Sequence, residues 1–238
     1  MLPFWIALQF LSSLPVSLPG MPAASAMGRS LLYYPLVGLL FGALLCGLDA
    51  LLVGAPLLLH AALLLSAWVL LSGGLHLDGL ADSADAWLGG FGDRQRTLEI
   101  MQDPRSGPIA VVTLGLLLLL KFSALVALLQ VEHSWVLLLA PMLARSAMLA
   151  LFLTTPYVRA GGLGQALAEH LPRRAAGLVL VVALVVGGVF GGWVIVAMGF
   201  AFWALRRLML RRLGGTTGDT AGALLEVLEM VALVTAAL

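Results

Sequence analysis

Long runs of apolar residues alternate with short polar segments along the whole chain. A helix that crosses a bilayer needs about 20 predominantly apolar residues. The runs that meet or approach this length are 31–53, 56–72, 108–130, 135–155 and 220–238. The pattern predicts an all-α polytopic transmembrane helix bundle of about six or seven membrane segments, which we expect to form one domain over residues 1–238.

The apolar run 175–205 is too long for one comfortable span and short for two. The glycines of "GGVFGGW" (187–193) favour a break there, so that the run forms a re-entrant pair or a tight hairpin and the bundle has seven segments. The alternative is that these glycines pack one tilted helix against a neighbour, which leaves six segments.

The first eleven residues are apolar and aromatic, and they lack the basic n-region of a secretory signal peptide. Phe4 and Trp5 are residue types that favour the membrane–water interface. Pro15 and Pro19 follow the segment. We therefore expect an N-terminal interfacial helix that ends before these prolines.

Basic residues fall in alternate loops. Loops 73–107, 156–174 and 206–219 are rich in arginine, whereas the connections near 54–55 and 131–134 contain no Lys or Arg. Because Lys and Arg concentrate in the cytoplasmic loops of membrane proteins, the three basic loops are predicted to lie together on the cytoplasmic side.

The composition supports this assignment. Hydrophobic residues make up 61% of the chain and charged residues 11%, against about 45–50% and 25% in soluble domains. The net charge of +1 gives no field that would attract nucleic acid. Cys46 is the only cysteine, which excludes an intrachain disulfide and a cysteine metal cluster.

The stretch "HLDGLADSADA" contains three aspartates in an otherwise apolar region. Asp78, Asp82 and Asp85 are spaced at i, i+4 and i+7, which places them on one stripe of a helix. Like charges at this spacing repel, so a compensating cation is expected. Carboxylate oxygens suit Mg²⁺, Mn²⁺ or Ca²⁺. The alternative is a solvated polar face, with Asp78 as a helix cap.

The same loop continues as "GDRQRTLEIMQDPRSG" (92–107) and again combines acidic with basic residues. Asp103 is flanked by Arg96 and Arg105. Carboxylates for a cation beside arginines for phosphate suit phosphoryl transfer. A surface helix with internal ion pairs explains the same residues.

Asp219 and Glu226 share a helical face in a third polar region, where Thr217 or Asp219 could cap a helix or the glycines could present N–H groups to a phosphate. Lys121 and Arg145 fall inside spans, where charges usually face the bundle interior. Each either pairs with a carboxylate or holds an anionic group. His76 is a ligand, a hydrogen-bond donor or a bystander.

Around "GGLHLDGLADSADAW" the sequence resembles the cobalamin 5′-phosphate synthase family, also called adenosylcobinamide-GDP ribazoletransferases. The resemblance extends over almost the whole chain. It continues, in order, in "ALQFLSSLPV", "YYPLVGLLFG", "LEIMQDPRSGPIAV", "APMLARSAM" and "LGGTTGDTAGALLEVLE".

The resemblance implies a membrane enzyme of late cobalamin biosynthesis in the bacterial inner membrane. It would join adenosylcobinamide-GDP to α-ribazole or its 5′-phosphate, release GMP and require Mg²⁺. The expected metal ligands are Asp78, Asp82 and Asp85, and the expected catalytic residues are Asp82, Asp85 and Asp103. The residues expected to bind substrate or phosphate are Arg96, Arg105, Lys121, Arg145, Asp219, Glu226 and His76.

Two other functions are considered. A CDP-alcohol phosphotransferase would carry D-x-x-D-G-x-x-A-R followed by G-x-x-x-D-x-x-x-D, and the full pattern is absent from the sequence. A cation transporter would place acidic residues in the middle of its spans. The expected partners are the two substrates and the lipid membrane, without nucleic acid; a homo-oligomer is left open.

Overall fold

The computed structural model describes residues 1–18, 20–131 and 133–238, and these ranges form helices joined by short loops. The helices are α1 (Leu2–Leu11), α2 (Ala24–Ser30), α3 (Tyr34–Leu51), α4 (Leu57–Ser72), α5 (Leu75–Gly89), α6 (Arg94–Ile100), α7 (Pro108–Gln130), α8 (Trp135–Thr154), α9 (Leu163–Glu169), α10 (Arg173–Gly191), α11 (Trp193–Leu213) and α12 (Gly218–Ala237). A 3₁₀ turn, Leu31–Tyr33, joins α2 to α3. The predicted all-α class is confirmed.

In the part of the chain that the structure describes, six helices are long and apolar enough to cross a membrane: α3 with its α2 extension, α7, α8, α10, α11 and α12. Helices α4 and α5 pass the same test only together, and they bend by 86° where they meet. Gly73 and Gly74 allow this bend because both have positive φ angles, 63° and 73°. The described residues therefore provide six candidate spans, or seven if the bent pair is counted, as the hydrophobic pattern predicts.

The predicted break in the run 175–205 is confirmed. Gly192 has a φ of 46° and separates α10 from α11. Because a side chain is strained at this φ, glycine permits the tight connection between the two helices. Val181, Val185 and Phe200 are among the exposed apolar side chains of this pair, which gives the bundle a surface suited to lipid.

A short N-terminal helix is also confirmed. Helix α1 ends at Leu11, before Pro15, while Pro19 lies outside the described residues. Its inner face is buried against the bundle through residues such as Ala7 and Leu11, whereas the Trp5 side chain is half exposed. The helix is thus anchored on one side and presents an aromatic residue on the other.

Helix α8 forms the centre of the bundle, and 78% of its most apolar stretch is buried, against 17% for α11. Gly38 and Gly42 of α3 face its backbone. A Cβ atom at Gly38 would stand 2.5 Å from the Pro141 carbonyl oxygen, and one at Gly42 would stand 2.6 Å from the Leu138 Cα atom. Two small residues four apart let two membrane helices approach this closely.

The three basic loops meet at one end of the bundle. The Val158 N–H donates to the Thr216 carbonyl (3.0 Å), and Arg212 donates from Nη1 to the Trp87 carbonyl (3.3 Å). At the other end, Asp49 accepts a hydrogen bond from the Ser134 hydroxyl (2.7 Å). The predicted grouping of the basic loops is confirmed; their position on the cytoplasmic side stays a prediction.

Candidate active site

Helices α5 and α12 cross with almost no space between their backbones. A Cβ atom at Gly79 would lie 2.7 Å from the Asp219 carbonyl oxygen, and one at Gly222 would lie 3.2 Å from the His76 Cα atom. The two glycines therefore let the start of α12 rest directly on the aspartate-bearing helix. The third polar region therefore packs against the helix that bears Asp78, Asp82 and Asp85.

A cavity of about 460 Å³, here called the aspartate cavity, opens at this crossing. Asp78 and Asp219 line it from the two helices, and Arg159 lines it from the loop that follows α8. Arg159 donates from Nη1 to Asp219 Oδ2 at 2.9 Å. The remaining lining residues are Phe10, Leu75, His76, Gly79, Met148, Tyr157, Ala160, Gly161, Gly162, Gly164, Gly218 and Gly222.

The charges at this site are not balanced. Asp82 stands one helical turn beyond Asp78 on α5 and is absent from the lining of the cavity, and both Asp78 and Asp219 repel its charge. Arg159 is the cation that offsets these three carboxylates. The site therefore has a surplus of negative charge beside the cavity, which favours binding of a cation.

The structure does not bring the predicted ligands Asp78, Asp82 and Asp85 together. Within the described ranges, no group of three Asp, Glu, His or Cys side chains is close enough to hold one metal ion. Mg²⁺ is commonly bound by only one or two carboxylates, with substrate phosphates and water completing its shell. The donors at the crossing fit that arrangement better than a cage made only of protein ligands.

Asp85 points towards α7 and not towards α12. Its two carboxylate oxygens accept hydrogen bonds from the backbone N–H groups of Gly107 and Ala110. These groups belong to the first turn of α7, where unpaired N–H groups need acceptors and attract negative charge. Asp85 therefore ties the aspartate helix to the start of α7.

Asp103 and Arg105 form an exposed pair in the α6–α7 connection, outside the set of residues that line the aspartate cavity. Hydrogen bonds from Arg105 lower the pKa of Asp103 to about 2. A carboxylate with so low a pKa is a weak proton acceptor. Arg96 lies over the Phe91 ring, 5.4 Å from its centroid, and is also absent from the lining of the cavity.

Lys121, Arg145 and Glu226 meet inside the bundle, together with Glu229, in what we call the buried ion network. Lys121 Nζ lies 2.6 Å from Glu226 Oε2 and 2.7 Å from Glu229 Oε2. Arg145 pairs with the other oxygen of Glu229. All four side chains are buried. The structure thus supports the pairing alternative for Lys121 and Arg145, since both charges are already matched by carboxylates.

His76 does not belong to the buried ion network. It is buried, lines the aspartate cavity, and its Nδ1 atom has no hydrogen-bond partner among the described residues. Its backbone packs on Gly222, as noted above. His76 is thus the one residue of the predicted substrate-binding set, besides Asp219, that reaches this cavity.

Arg159 and Tyr157 are cavity residues that the sequence did not single out as site residues. Both precede the glycines at 161, 162 and 164, and the Tyr157 ring fills the space that side chains at Gly162 and Gly164 would need. Burial raises the pKa of the Tyr157 phenol, so its hydroxyl stays protonated near neutral pH. The sequence signal that could have identified this part of the site is a basic residue next to a glycine-rich loop.

Thr217, not Asp219, caps α12. The Thr217 hydroxyl accepts the Thr220 N–H (3.2 Å), and the Thr220 hydroxyl accepts the Thr217 N–H (2.9 Å). This reciprocal capping box satisfies the helix end without Asp219. Gly215 packs against the Pro156 carbonyl, so of the glycines expected to face a substrate only Gly218 lines the cavity.

The comparisons with known proteins agree with one another. The sequence model of the family described as cobalamin-5-phosphate synthase matches residues 3–237. An adenosylcobinamide-GDP ribazoletransferase of Pseudomonas fluorescens is 69% identical over the full length of both chains. Another, from Pseudomonas putida, is 71% identical over 97% of this chain and 96% of its own. No solved structure matches. The family match, the full-length relatives and the bundle described above lead to one conclusion: the chain belongs to the cobalamin-5-phosphate synthase family.

Proposed function

We propose that the chain is an adenosylcobinamide-GDP ribazoletransferase of late cobalamin biosynthesis. The observation that carries the proposal is the aspartate cavity, where Asp78, Asp219 and Arg159 meet at the loop end of the bundle. Carboxylates beside a guanidinium suit a reaction in which phosphate charge is bound and moved. The relatives that carry this activity in their names match the chain from end to end.

The reaction is a phosphoryl transfer. A ribose hydroxyl of α-ribazole, or of its 5′-phosphate, attacks the phosphorus nearer the corrinoid in adenosylcobinamide-GDP. A new P–O bond forms, the P–O bond of the pyrophosphate bridge breaks, and the bridging oxygen leaves with GMP. The hydroxyl proton passes to a base. The products are GMP and adenosylcobalamin or its 5′-phosphate.

Asp82 is our candidate for that base. Of the three carboxylates predicted to be catalytic, Asp85 accepts two backbone hydrogen bonds and Asp103 is held by Arg105. No hydrogen bond to Asp82 is found in the described ranges, so its oxygens remain available to a substrate hydroxyl. Arg159 would bind a phosphate oxygen of the pyrophosphate, since a guanidinium forks well onto phosphate.

Asp78 and Asp219 are the residues that would hold Mg²⁺. Their hard oxygen donors and the surplus negative charge fit a site that one or two carboxylates share with substrate phosphates. When bound, the ion supplies positive charge that stabilises the developing charge on the pyrophosphate oxygens. The site would lie on the cytoplasmic side of the bacterial inner membrane, where nucleotides are available.

The test is release of GMP by the purified protein in detergent. With adenosylcobinamide-GDP, α-ribazole and Mg²⁺, the wild type is expected to release GMP and form the joined product, and chelation of Mg²⁺ is expected to stop both. Asp82→Asn should abolish release while the protein remains folded. Asp93→Asn is the matched control, because Asn caps a helix as well as Asp does and Asp93 only caps α6.

Three results would contradict the proposal. Wild-type protein that releases no GMP would reject the activity. Near-normal turnover of Asp82→Asn at saturating Mg²⁺ would reject the role of Asp82. Consumption of a CDP-alcohol, or cation uptake into vesicles without GMP release, would favour one of the alternative functions, neither of which is favoured by the comparisons.

A further inference from the structure

A second cavity, of about 530 Å³, lies beside the aspartate cavity. The two share Tyr157, Arg159 and Ala160 in their walls. The rest of the second cavity is built by the end of α8, by α9 and by Arg173 at the start of α10. An enzyme that joins two substrates must hold both next to the reacting phosphorus, and two adjacent cavities with a common wall meet that need.

We propose that this second cavity binds the ribazole nucleophile and that Arg173 recognises its 5′-phosphate. The inference rests on the proposed function and deepens it by assigning a place to one substrate. It also addresses a difference between the names of the relatives: the family description names a phosphorylated product, whereas "ribazoletransferase" leaves the phosphate open.

The size of the cavity fits the smaller substrate. Pockets that bind small molecules measure about 300–1,000 Å³, and a nucleoside monophosphate lies within that range. Adenosylcobinamide-GDP combines a corrinoid ring with a nucleotide and is far larger than the cavity. The aspartate cavity, which is open at the loop end of the bundle, would then bind the pyrophosphate of adenosylcobinamide-GDP.

The lining of the cavity includes an aromatic pair as well as charged residues. The rings of Phe152 and Tyr157 stack with their centroids 6.1 Å apart and their planes 17° apart. A flat aromatic base such as that of α-ribazole packs favourably on such rings. Thr154 and Thr155 also line the cavity. Their hydroxyl oxygens accept hydrogen bonds from Arg206 Nε at 3.2 and 3.0 Å.

The charged groups of the cavity are Arg159, Arg173 and Glu169. Arg159 already pairs with Asp219, and Glu169 accepts a hydrogen bond from Gln165 at 2.7 Å. Arg173 donates from Nη2 to the Leu153 carbonyl at 2.8 Å, which fixes its guanidinium at the rim without neutralising it. Arg173 is therefore the cation through which this cavity would bind a phosphate dianion.

The test compares two nucleophiles. KM for α-ribazole 5′-phosphate and for α-ribazole is measured by GMP release with wild type, Arg173→Gln and Arg173→Lys. The Gln variant should raise KM for the phosphorylated nucleophile by about tenfold to a hundredfold, as expected for loss of a charge-assisted hydrogen bond. KM for α-ribazole should change far less. The Lys variant should recover part of the loss, since it keeps the charge.

Arg174→Gln is the matched control. It removes the same charge from the neighbouring residue, which is exposed and does not line either cavity in the described chain. Its KM values should equal those of the wild type. Melting temperatures of all variants in the same detergent show whether any change reflects unfolding.

Each contrary result has a defined meaning. Equal increases in KM for both nucleophiles, or no increase, would overturn the assignment of Arg173 to the 5′-phosphate. An increase in KM only for adenosylcobinamide-GDP would assign the cavity to the guanosine and overturn the proposal. Failure of the proposed function is a separate outcome, because the wild type would then release no GMP with either nucleophile.

Discussion

Asp219 has two competing roles, helix cap and site residue, and they predict different experimental results. A helix cap contributes about 1 kcal/mol to stability, but Thr217 and Thr220 already form the capping box of α12. We therefore expect Asp219→Asn to keep its melting temperature within a few degrees and to lose GMP release by orders of magnitude. Both are measured in one detergent preparation.

One outcome of the Asp219→Asn experiment would contradict this expectation. A lowered melting temperature with unchanged turnover per folded molecule would make Asp219 a structural residue. Thr217→Ala is the companion variant. It removes the cap but leaves the carboxylate, so it should lower stability and retain turnover per folded molecule.

Substitution of Lys121 distinguishes a structural role from a substrate-binding role in the same way. It is buried between Glu226 and Glu229. Lys121→Met leaves a buried carboxylate without its partner, which costs about 3–5 kcal/mol in the free energy of unfolding. Lys121→Met combined with Glu226→Gln removes one charge of each sign and should cost less. Thermal unfolding in detergent measures both.

A different outcome would restore Lys121 to the substrate site. If Lys121→Met unfolds like the wild type but raises KM for adenosylcobinamide-GDP, the lysine binds phosphate and the network is not its main role. The double variant would then be no more active than the single one, since the missing cation would still be missing.

Sequence reasoning at the level of residues worked where partners lie on one helix. Asp78, Asp82 and Asp85 share a stripe because helical spacing dictates it, and the structure keeps them on α5. It did not find Arg159 or Glu229 as partners. Arg159 meets Asp219 across 60 positions, and no local spacing encodes that contact.

At the level of helices, the crossing of α5 and α12 predicts the effect of a single methyl group. Gly79→Ala would place a Cβ atom 2.7 Å from the Asp219 carbonyl, so the helices must move apart. A shift of about 1 Å in a catalytic group can cost about a hundredfold in rate. We expect a loss of GMP release of that order, measured per folded molecule.

Gly115→Ala is the control for this variant. Gly115 lies within α7, and a Cβ atom there meets nothing within 4 Å. Because alanine favours helix over glycine by about 1 kcal/mol, the control should be active and at least as stable as the wild type. Equal activity of both variants would show that the close crossing does not position the site.

The hydrophobic pattern predicted the long helices because their lengths are set by bilayer thickness. The break at Gly192 was readable from its glycines. The short helices α2 and α9 were not predicted, and α6 was considered only as an alternative for residues 92–107. They have seven residues each, and packing against neighbours, not an apolar run, decides whether such a segment is helical.

At the level of the whole molecule, the grouping of the three basic loops predicts where reagents can reach. In a Cys46→Ser background, a cysteine at Arg94 should be protected in intact cells from a membrane-impermeant thiol reagent, because we expect loop 73–107 to be cytoplasmic. Arg94 is exposed, so permeabilised cells should label it. Labelling of this cysteine from outside in intact cells would show that the predicted orientation is inverted.

Val53→Cys is the matched control for orientation. Val53 is 81% exposed at the opposite end of the bundle, in the connection between α3 and α4. It should be labelled in intact cells. If the cysteines at positions 53 and 94 were both labelled in intact cells, both loops would lie outside the cell. The chain between them would then not cross the membrane an odd number of times.

The order of synthesis gives the buried ion network a role during insertion. Lys121 and Arg145 leave the ribosome well before Glu226 and Glu229, the carboxylates that match them. A lone Lys or Arg in the centre of a spanning helix costs about 2.5–3.5 kcal/mol on insertion scales. Helices α7 and α8 therefore each carry this cost in the membrane until α12 supplies the matching carboxylates. Since α12 also carries Asp219, the helix that matches the two buried cations is the same helix that completes the aspartate cavity.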